Sequence, residues 1–174
     1  MAAFAPVAPI QILEEMAKQK VLGTYHLLLA HHVLEAQDRF AVLFDDYKQS
    51  TIIMDNSLVE LKEAASDATT LEACEVIGDK HWVIPVLRDV MGDGEATRRD
   101  STDSYAWWQT HAPNYPLMVV AQGKDWNDFT ATVDHFLLSG NFPAIEYVGV
   151  PRKLVEALGT RQMALQYIDA VSPM

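Results

Sequence analysis

The sequence predicts an α/β fold built from parallel strand–helix units, with about five strands. Five short apolar runs alternate with segments of helical spacing, and the unit recurs about every thirty residues, which is the length of one βα unit. The runs are almost continuously apolar, as is typical of strands that are buried on both faces of a parallel sheet. A doubly wound sheet and a (β/α)8 barrel are both built in this way.

The predicted strands are separated by turn residues and lie at regular intervals along the chain. They are the runs "YHLLLAHHV" from Tyr25, "TIIMD" from Thr51, "WVIPVL" from Trp82, "PLMVVAQ" from Pro116 and "AIEYVGV" from Ala144. No glycine-rich turn follows the first run, which weakens the dinucleotide-binding version of the doubly wound sheet. His31 and His32 fall late in the first run, where strand-end hydrogen bonding is the expected role and a catalytic role is the alternative.

Helices are predicted before the first strand and after each strand. An N-terminal helical segment is expected over residues 1–23, since apolar residues recur at Ile10, Leu13 and Ala17 and Gly23 offers a stop. The later candidates are "AQDRFAVLFDDY", "TTLEACEVIGD", which begins with capping threonines, "STDSYAWWQTHA", "DWNDFTATVDHFLLSG" and "PRKLVEALG". The sequence contains no internal repeat and no low-complexity linker, so residues 1–174 are expected to form a single domain.

Composition excludes several classes of protein. The net charge is -11, whereas a protein that binds nucleic acid alone usually carries a basic surplus. A small polar ligand, or a nucleic acid held with the help of another chain, is therefore expected. Cys74 is the only cysteine, which excludes a disulfide framework and a cysteine-rich zinc site within the chain. The six histidines lack ligand-like spacing with acids, so no metal and no other cofactor is expected.

The predicted location of the protein is the cytoplasm. No apolar run reaches the length that a bilayer-spanning segment needs. The N-terminal stretch "MAAFAPVAPIQILEEM" lacks the basic region that begins a secretory signal peptide.

Polar residues gather just after the predicted strands, at the sheet edge where barrel enzymes carry their chemistry. They are Asp55-Asn56-Ser57, Asp89 with Gly92 and Asp93, Gln122-Gly123, and Gly149. Two carboxylates, a carboxamide and a glycine N–H complement the N1–H, 2-amino and O6 edge of guanine or a 7-deazaguanine. The alternatives are an Asx turn at residues 55–57 and a turn that leads into an acidic helix start at "MGDGEAT".

Four motifs occur in an order and spacing that resemble the tRNA-guanine transglycosylase superfamily. They are "IIMDNSLVEL", "RDVMGDG", "VVAQGK" and "EYVGVPRKL". The likeness is strongest to the phage branch, which is thought to place 7-deazaguanines in nucleic acid, and it runs from about Tyr25 to the C-terminus. It implies a partial (β/α)8 TIM-type barrel and, for a phage protein, the host cytoplasm.

The resemblance also assigns roles to individual residues. Asp55 stands where the family has a catalytic Asp, and Asn56 beside it is expected to bind the substrate. Asp89 best matches the later Asp that reads the base edge, with Asp93 close by. The remaining family positions that contact the base correspond to Gln122, Gly149 and Val150.

The chain departs from the family in its later part. It supplies about five of eight strands, and the family's nucleophilic aspartate and zinc site have no counterpart here. The implied function is a base-exchange transglycosylase that needs a complementing chain for the nucleophile. The alternatives are a purine-binding module without catalysis and an inactive truncated homologue. A homo-oligomer or a complementing subunit is expected, because the strands beginning at Tyr25 and Ala144 would both be sheet edges.

Overall fold

A computed structural model describes residues 7–159 and 161–172 of the chain. The protein divides into two compact units, Met1–Pro85 and Val86–Met174, and each unit contains helices and a small parallel sheet. The predicted α/β class with parallel strands is therefore confirmed. The single-domain organisation expected for residues 1–174 stays a prediction. Among the described residues, no helix combines the length and the apolar character needed to cross a lipid bilayer.

The first unit is built around a three-stranded parallel sheet with the order β1-β2-β3. Its strands are β1 Tyr25–Leu29, β2 Thr51–Asp55 and β3 Trp82–Pro85. Its helices are α1 Ile10–Lys18, α2 Ala30–Glu35, α3 Gln37–Asp45, α4 Leu58–Leu61 and α5 Asp67–Ile77. The register pairs Leu29 with Asp55, so β1 and β2 end side by side.

The core of the first unit explains why these segments adopt their structures. The central strand β2 buries Ile52, Ile53 and Met54 in succession, which is the continuous apolar pattern of a parallel strand covered on both faces. Phe40 and Phe44 lie one turn apart on α3 and are both buried, as its spacing predicts. Each such phenylalanine contributes about 1.5–3 kcal/mol through burial.

The second unit contains a two-stranded parallel sheet, β4 Leu117–Val120 and β5 Ile145–Gly149. Its helices are α6 Gly94–His111, α7 Trp126–Leu137, α8 Arg152–Leu158 and α9 Gln162–Val171. Val86 adds an isolated parallel bridge to Met118 of β4. An apolar cluster joins the end of β4 to three helices through Ala121, Phe129, Val133, Leu154 and Ala164.

The sequence was wrong about the length of the first strand and the end of the first helix. β1 stops at Leu29 and the chain turns into α2, so His31 and His32 are helical and not strand residues. The strand ends there because its partner β2 ends at Asp55, which leaves no backbone to pair with. Within the segment 1–23, helix α1 ends at Lys18 and not at Gly23, since the backbone turns left-handed at Lys20. Residues 1–6 lie outside the described part.

Two helix starts were also predicted wrongly. Helix α5 is capped by Ser66, whose Oγ accepts a hydrogen bond from the N–H of Thr69, and not by the threonines. Helix α6 begins not in the candidate segment from Ser101 but at Gly94, which agrees with the acidic helix start that the sequence offered as an alternative for "MGDGEAT". The early turns of α6 are rich in charged and hydroxyl residues, so the apolar periodicity that marks a helix is missing there.

Candidate functional site

Polar residues follow β2 in two consecutive tight turns. Oδ1 of Asp55 accepts a hydrogen bond from the N–H of Ser57 at 2.7 Å, and Oδ1 of Asn56 accepts one from the N–H of Leu58 at 3.1 Å. The Asx turn that the sequence left as an alternative is therefore present. Ser57 is fully buried in the left-handed conformation, with φ 63° and ψ 19°. This conformation is uncommon for a serine, and such strained positions cluster at functional sites.

His31 lies beside these turns at the start of α2. Its backbone N–H points to Oγ of Ser57 at 3.5 Å, and its ring lies 4.2 Å from the ring of His32. Nδ1 of His31 is buried and makes no hydrogen bond to any described residue. The ends of β1 and β2 thus bring Asp55, Asn56 and His31 into one neighbourhood.

The second unit holds a buried carboxylate–carboxamide pair, and both of its members were predicted from the sequence. Nε2 of Gln122 donates to Oδ2 of Asp89 at 2.6 Å, and both side chains are only 5% exposed. Oε1 of Gln122 accepts from the backbone N–H of Gly92 at 3.1 Å. One carboxamide therefore joins the loop after β4 to two points of the segment 89–92.

A ladder of hydroxyl groups on α6 fixes the backbone on either side of this carboxylate. Thr97, Ser101 and Ser104 share one helix face and are fully buried. Oγ of Ser104 accepts from the N–H of Arg88 at 3.3 Å, and Oγ of Ser101 donates to the carbonyl of Arg88 at 2.6 Å. Oγ1 of Thr97 bonds both the N–H and the carbonyl of Val90, at 2.9 and 3.1 Å. Sequence reasoning missed this ladder, although hydroxyl residues at helical spacing were its signal.

Asp93 has a different environment from the buried pair. It is exposed and caps α6, since its Oδ1 accepts from the N–H of Ala96 at 2.9 Å. The helix start that the sequence left as an alternative for "MGDGEAT" is therefore present. A role for Asp93 in binding a base stays a prediction.

Gly149 and Val150 lie at the end of β5. The carbonyl of Gly149 accepts from the N–H of Ala121 at 3.0 Å, so it belongs to the hydrogen bonds that join the two strands. A Cβ at this glycine would lie 2.8 Å from Cε of Met118. Val150 packs against the apolar cluster that contains Phe129.

The structure thus brings some of the predicted site residues into contact, within one unit. Asp89 and Gln122 are hydrogen-bonded. Gly149 is the last residue of β5, which pairs with β4, and Val150 follows it. Asp55 and Asn56 belong to the first unit. Within residues 7–159 and 161–172, no group of three His, Cys, Asp or Glu side chains could hold a metal ion.

The first unit contains two buried histidines, His26 and His81, whose pKa values are lowered. Nε2–H of His81 donates to the carbonyl of Phe44 at 2.8 Å, and Nδ1 accepts from the N–H of Ser50 at 3.1 Å, which requires a neutral ring. His26 is fully buried and neither ring nitrogen reaches hydrogen-bond geometry, although a weak interaction with the backbone of Gly23 favours its charged form. Burial lowers the pKa of both histidines below the ordinary value.

Comparisons with protein-family models, with curated proteins and with solved structures gave no significant match in any of the three. The resemblance to the tRNA-guanine transglycosylases, and the roles assigned through it, therefore stay predictions.

Proposed function

We propose that this chain binds a guanine or 7-deazaguanine base at the Asp89–Gln122 pair, as the base-binding part of a base-exchange transglycosylase. The observation that supports this proposal is the buried carboxylate–carboxamide pair itself, held by the hydroxyl ladder of α6. In the same proposal, the five parallel strands belong to a partial (β/α)8 TIM-type barrel of the tRNA-guanine transglycosylase kind.

The pair has the hydrogen-bonding groups that a guanine edge needs. A carboxylate offers about four lone-pair directions, and Gln122 occupies one direction on Asp89. In this proposal the base presents its N1–H and 2-amino donors to the carboxylate of Asp89. The second hydrogen on Nε2 of Gln122 suits the O6 acceptor. Burial strengthens each of these bonds, because water competes poorly in a low-dielectric site.

Base exchange needs more than binding. Asp55 would act as the general acid/base, with Asn56 beside it, while a partner chain would supply the carboxylate nucleophile that attacks the sugar. The nucleic acid would bind only together with that partner, since the chain carries a net charge of -11. A homo-oligomer or a complementing subunit is part of this proposal.

A purine-binding module without catalysis is the second candidate, and one observation favours it. Oδ1 of Asp55 already accepts the N–H of Ser57 in a tight turn, which is a structural use of the carboxylate. An inactive homologue is the third candidate.

Titration calorimetry with free bases tests the binding proposal. We expect guanine and a 7-deazaguanine to bind in preference to adenine, because adenine presents its donors and acceptors in a different order. Asp89→Asn should weaken binding at least about tenfold, which corresponds to about 1.4 kcal/mol. The control is Asp103→Asn, which neutralises an exposed acid on α6. Equal affinity for adenine, or unchanged affinity in Asp89→Asn, would contradict the proposal.

An exchange assay separates the catalytic candidate from the binding module. Purified chain is incubated with radiolabelled guanine and either tRNA or DNA. We expect no incorporation by the chain alone, since in this proposal a partner chain supplies the carboxylate for the covalent step. Incorporation that appears only with an added partner chain, and is lost in Asp55→Ala, supports the enzyme. Robust exchange by the chain alone would show that the nucleophile has been misplaced.

A further inference from the structure

One carboxylate in the second unit, that of Asp128, accepts hydrogen bonds from helix α6 and from the loop after β4. Oδ2 accepts from the backbone N–H of Gly94 at 2.9 Å and from that of Lys124 at 3.2 Å. Oδ1 accepts from Nη1 of Arg98 at 3.2 Å. The side chain of Asp128 is only 13% exposed.

Both segments lie next to the candidate base site. Gly94 lies two residues after Gly92, whose N–H donates to Oε1 of Gln122. Lys124 lies two residues after Gln122. Oδ2 of Asp128 therefore joins the first residue of α6 to the loop after β4. Gln122, which lies in that loop, also bonds to Gly92, just before α6.

The surroundings of Asp128 favour its ionised form in this position. Burial opposes ionisation, but the N–H groups of Gly94 and Lys124 and the guanidinium of Arg98 outweigh it and hold the pKa of Asp128 below the usual range. Nη1 of Arg98 also donates to Oγ1 of Thr132 at 2.9 Å. A Cβ at residue 94 would lie 2.4 Å from Oδ1 of Asp128, so a glycine is needed for this close approach.

We propose that Asp128 is a positioning residue for the Asp89–Gln122 pair. By bonding to Gly94 and Lys124, it fixes the distance between the start of α6 and the loop after β4. At this distance the carboxamide of Gln122 can orient the carboxylate of Asp89 toward a purine edge. This inference rests on the proposed function for its ligand, but its structural half concerns the ligand-free protein.

The test compares two aspartate variants on the same helix. Asp128→Asn keeps the shape of the side chain and removes its charge. The new NH2 group cannot accept a hydrogen bond from the donor groups that surround this position. The matched control is Asp134→Asn, because Asp134 also lies on α7 and accepts one hydrogen bond, from the hydroxyl of Tyr167 at 2.6 Å. The readout is the side-chain NH2 signal pair of Gln122 in nitrogen-15 NMR spectra of the ligand-free chain, assigned through Gln122→Glu. Guanine affinity by calorimetry is the second readout.

We expect Asp128→Asn to shift the Gln122 signals and speed their hydrogen exchange, and to weaken guanine binding by about 10–100-fold, as loss of an outer-shell partner does elsewhere. Asp134→Asn should leave both readouts unchanged. Should Asp128→Asn fail to fold, Arg98→Gln replaces it and should shift the same signals in the same direction. Unchanged Gln122 signals in the folded variant would overturn the inference. Absence of guanine binding by the unaltered chain would refute the proposed function instead, while the NMR comparison would still decide the role of Asp128.

Discussion

Replacing Gly123 by alanine is expected to destabilise the second unit and to weaken the candidate site at the same time. Gly123 is buried, and a Cβ there would lie 2.4 Å from the backbone N and 2.8 Å from the Cα of Phe129. Ordinary contacts begin at 3.4 Å, so the start of α7 would have to move by about 1 Å. Phe129 is fully buried in the apolar cluster, so the movement would disturb the core as well.

The size of the effect follows from which atoms collide. Backbone atoms cannot rotate away, so we expect a loss of about 1–3 kcal/mol in the free energy of unfolding, as for other overpacked positions. Gly149→Ala is the matched control. There the nearest atom is Cε of Met118 at 2.8 Å, the end of a flexible side chain, and the loss should stay below about 1 kcal/mol.

Urea unfolding, followed through tryptophan fluorescence and circular dichroism, measures both variants. Trp108 is fully buried in the second unit and should report its unfolding. The midpoint for Gly123→Ala should fall clearly below that for Gly149→Ala, with the slope unchanged. Guanine binding should weaken in Gly123→Ala, because its neighbour Gln122 moves with it. Equal midpoints for the two variants would refute the reasoning that backbone contact sets the cost.

Four other predictions concern the first unit. His26→Leu removes two buried ring nitrogens that do not reach hydrogen-bond geometry and should raise the free energy of unfolding by about 1 kcal/mol at pH 7 in urea titrations. Because the pKa of His26 and of His81 is lowered in the folded state, stability should be fully present above the ordinary histidine value and be lost as the pH falls toward the lowered pKa. This loss should be shallower in His26→Leu, and an equally steep loss would contradict the assignment. Cys74 is buried with its pKa raised, chiefly by burial, so a thiol reagent should label it only when the unit unfolds; rapid labelling of the native chain would be inconsistent with this. Ser66→Ala should cost about 1 kcal/mol through loss of the α5 cap, and Ser66→Asp should restore it.

The central strand β2 was predictable because its burial is continuous. A run such as "TIIMD" is continuously apolar, and β2 is covered on both faces, so composition alone marks it. The Asp89–Gln122 pair was predictable for a related reason. Asp89 follows Val86, which forms a parallel bridge to Met118, and Gln122 follows β4, so the two residues leave a parallel pair of chains in the same direction.

The first strand shows where the reading of apolar runs fails. "YHLLLAHHV" continues beyond Leu29 with the apolar residues Ala30 and Val33, and a short apolar run does not by itself distinguish a strand from a buried helix. The pairing with β2 decides the matter, because β2 ends at Asp55 in two Asx turns and offers nothing beyond. The end of β1 is therefore set by the end of β2, and the sequence of the run itself carries no information about it.

The first part of α6, before Ser101, was difficult to predict for a different reason, and this reason is relevant to function. Most core-facing helices bury apolar side chains, so a helix that buries Thr97, Ser101 and Ser104 looks solvent-exposed in sequence. Here the buried face meets polypeptide backbone, and hydroxyl groups can satisfy the N–H and carbonyl groups of that backbone where apolar side chains cannot. A segment whose backbone is held at both residues that flank Asp89 cannot relax when the carboxylate is desolvated. The polar character that concealed this helix from sequence reasoning is therefore what allows it to hold a buried acid in place.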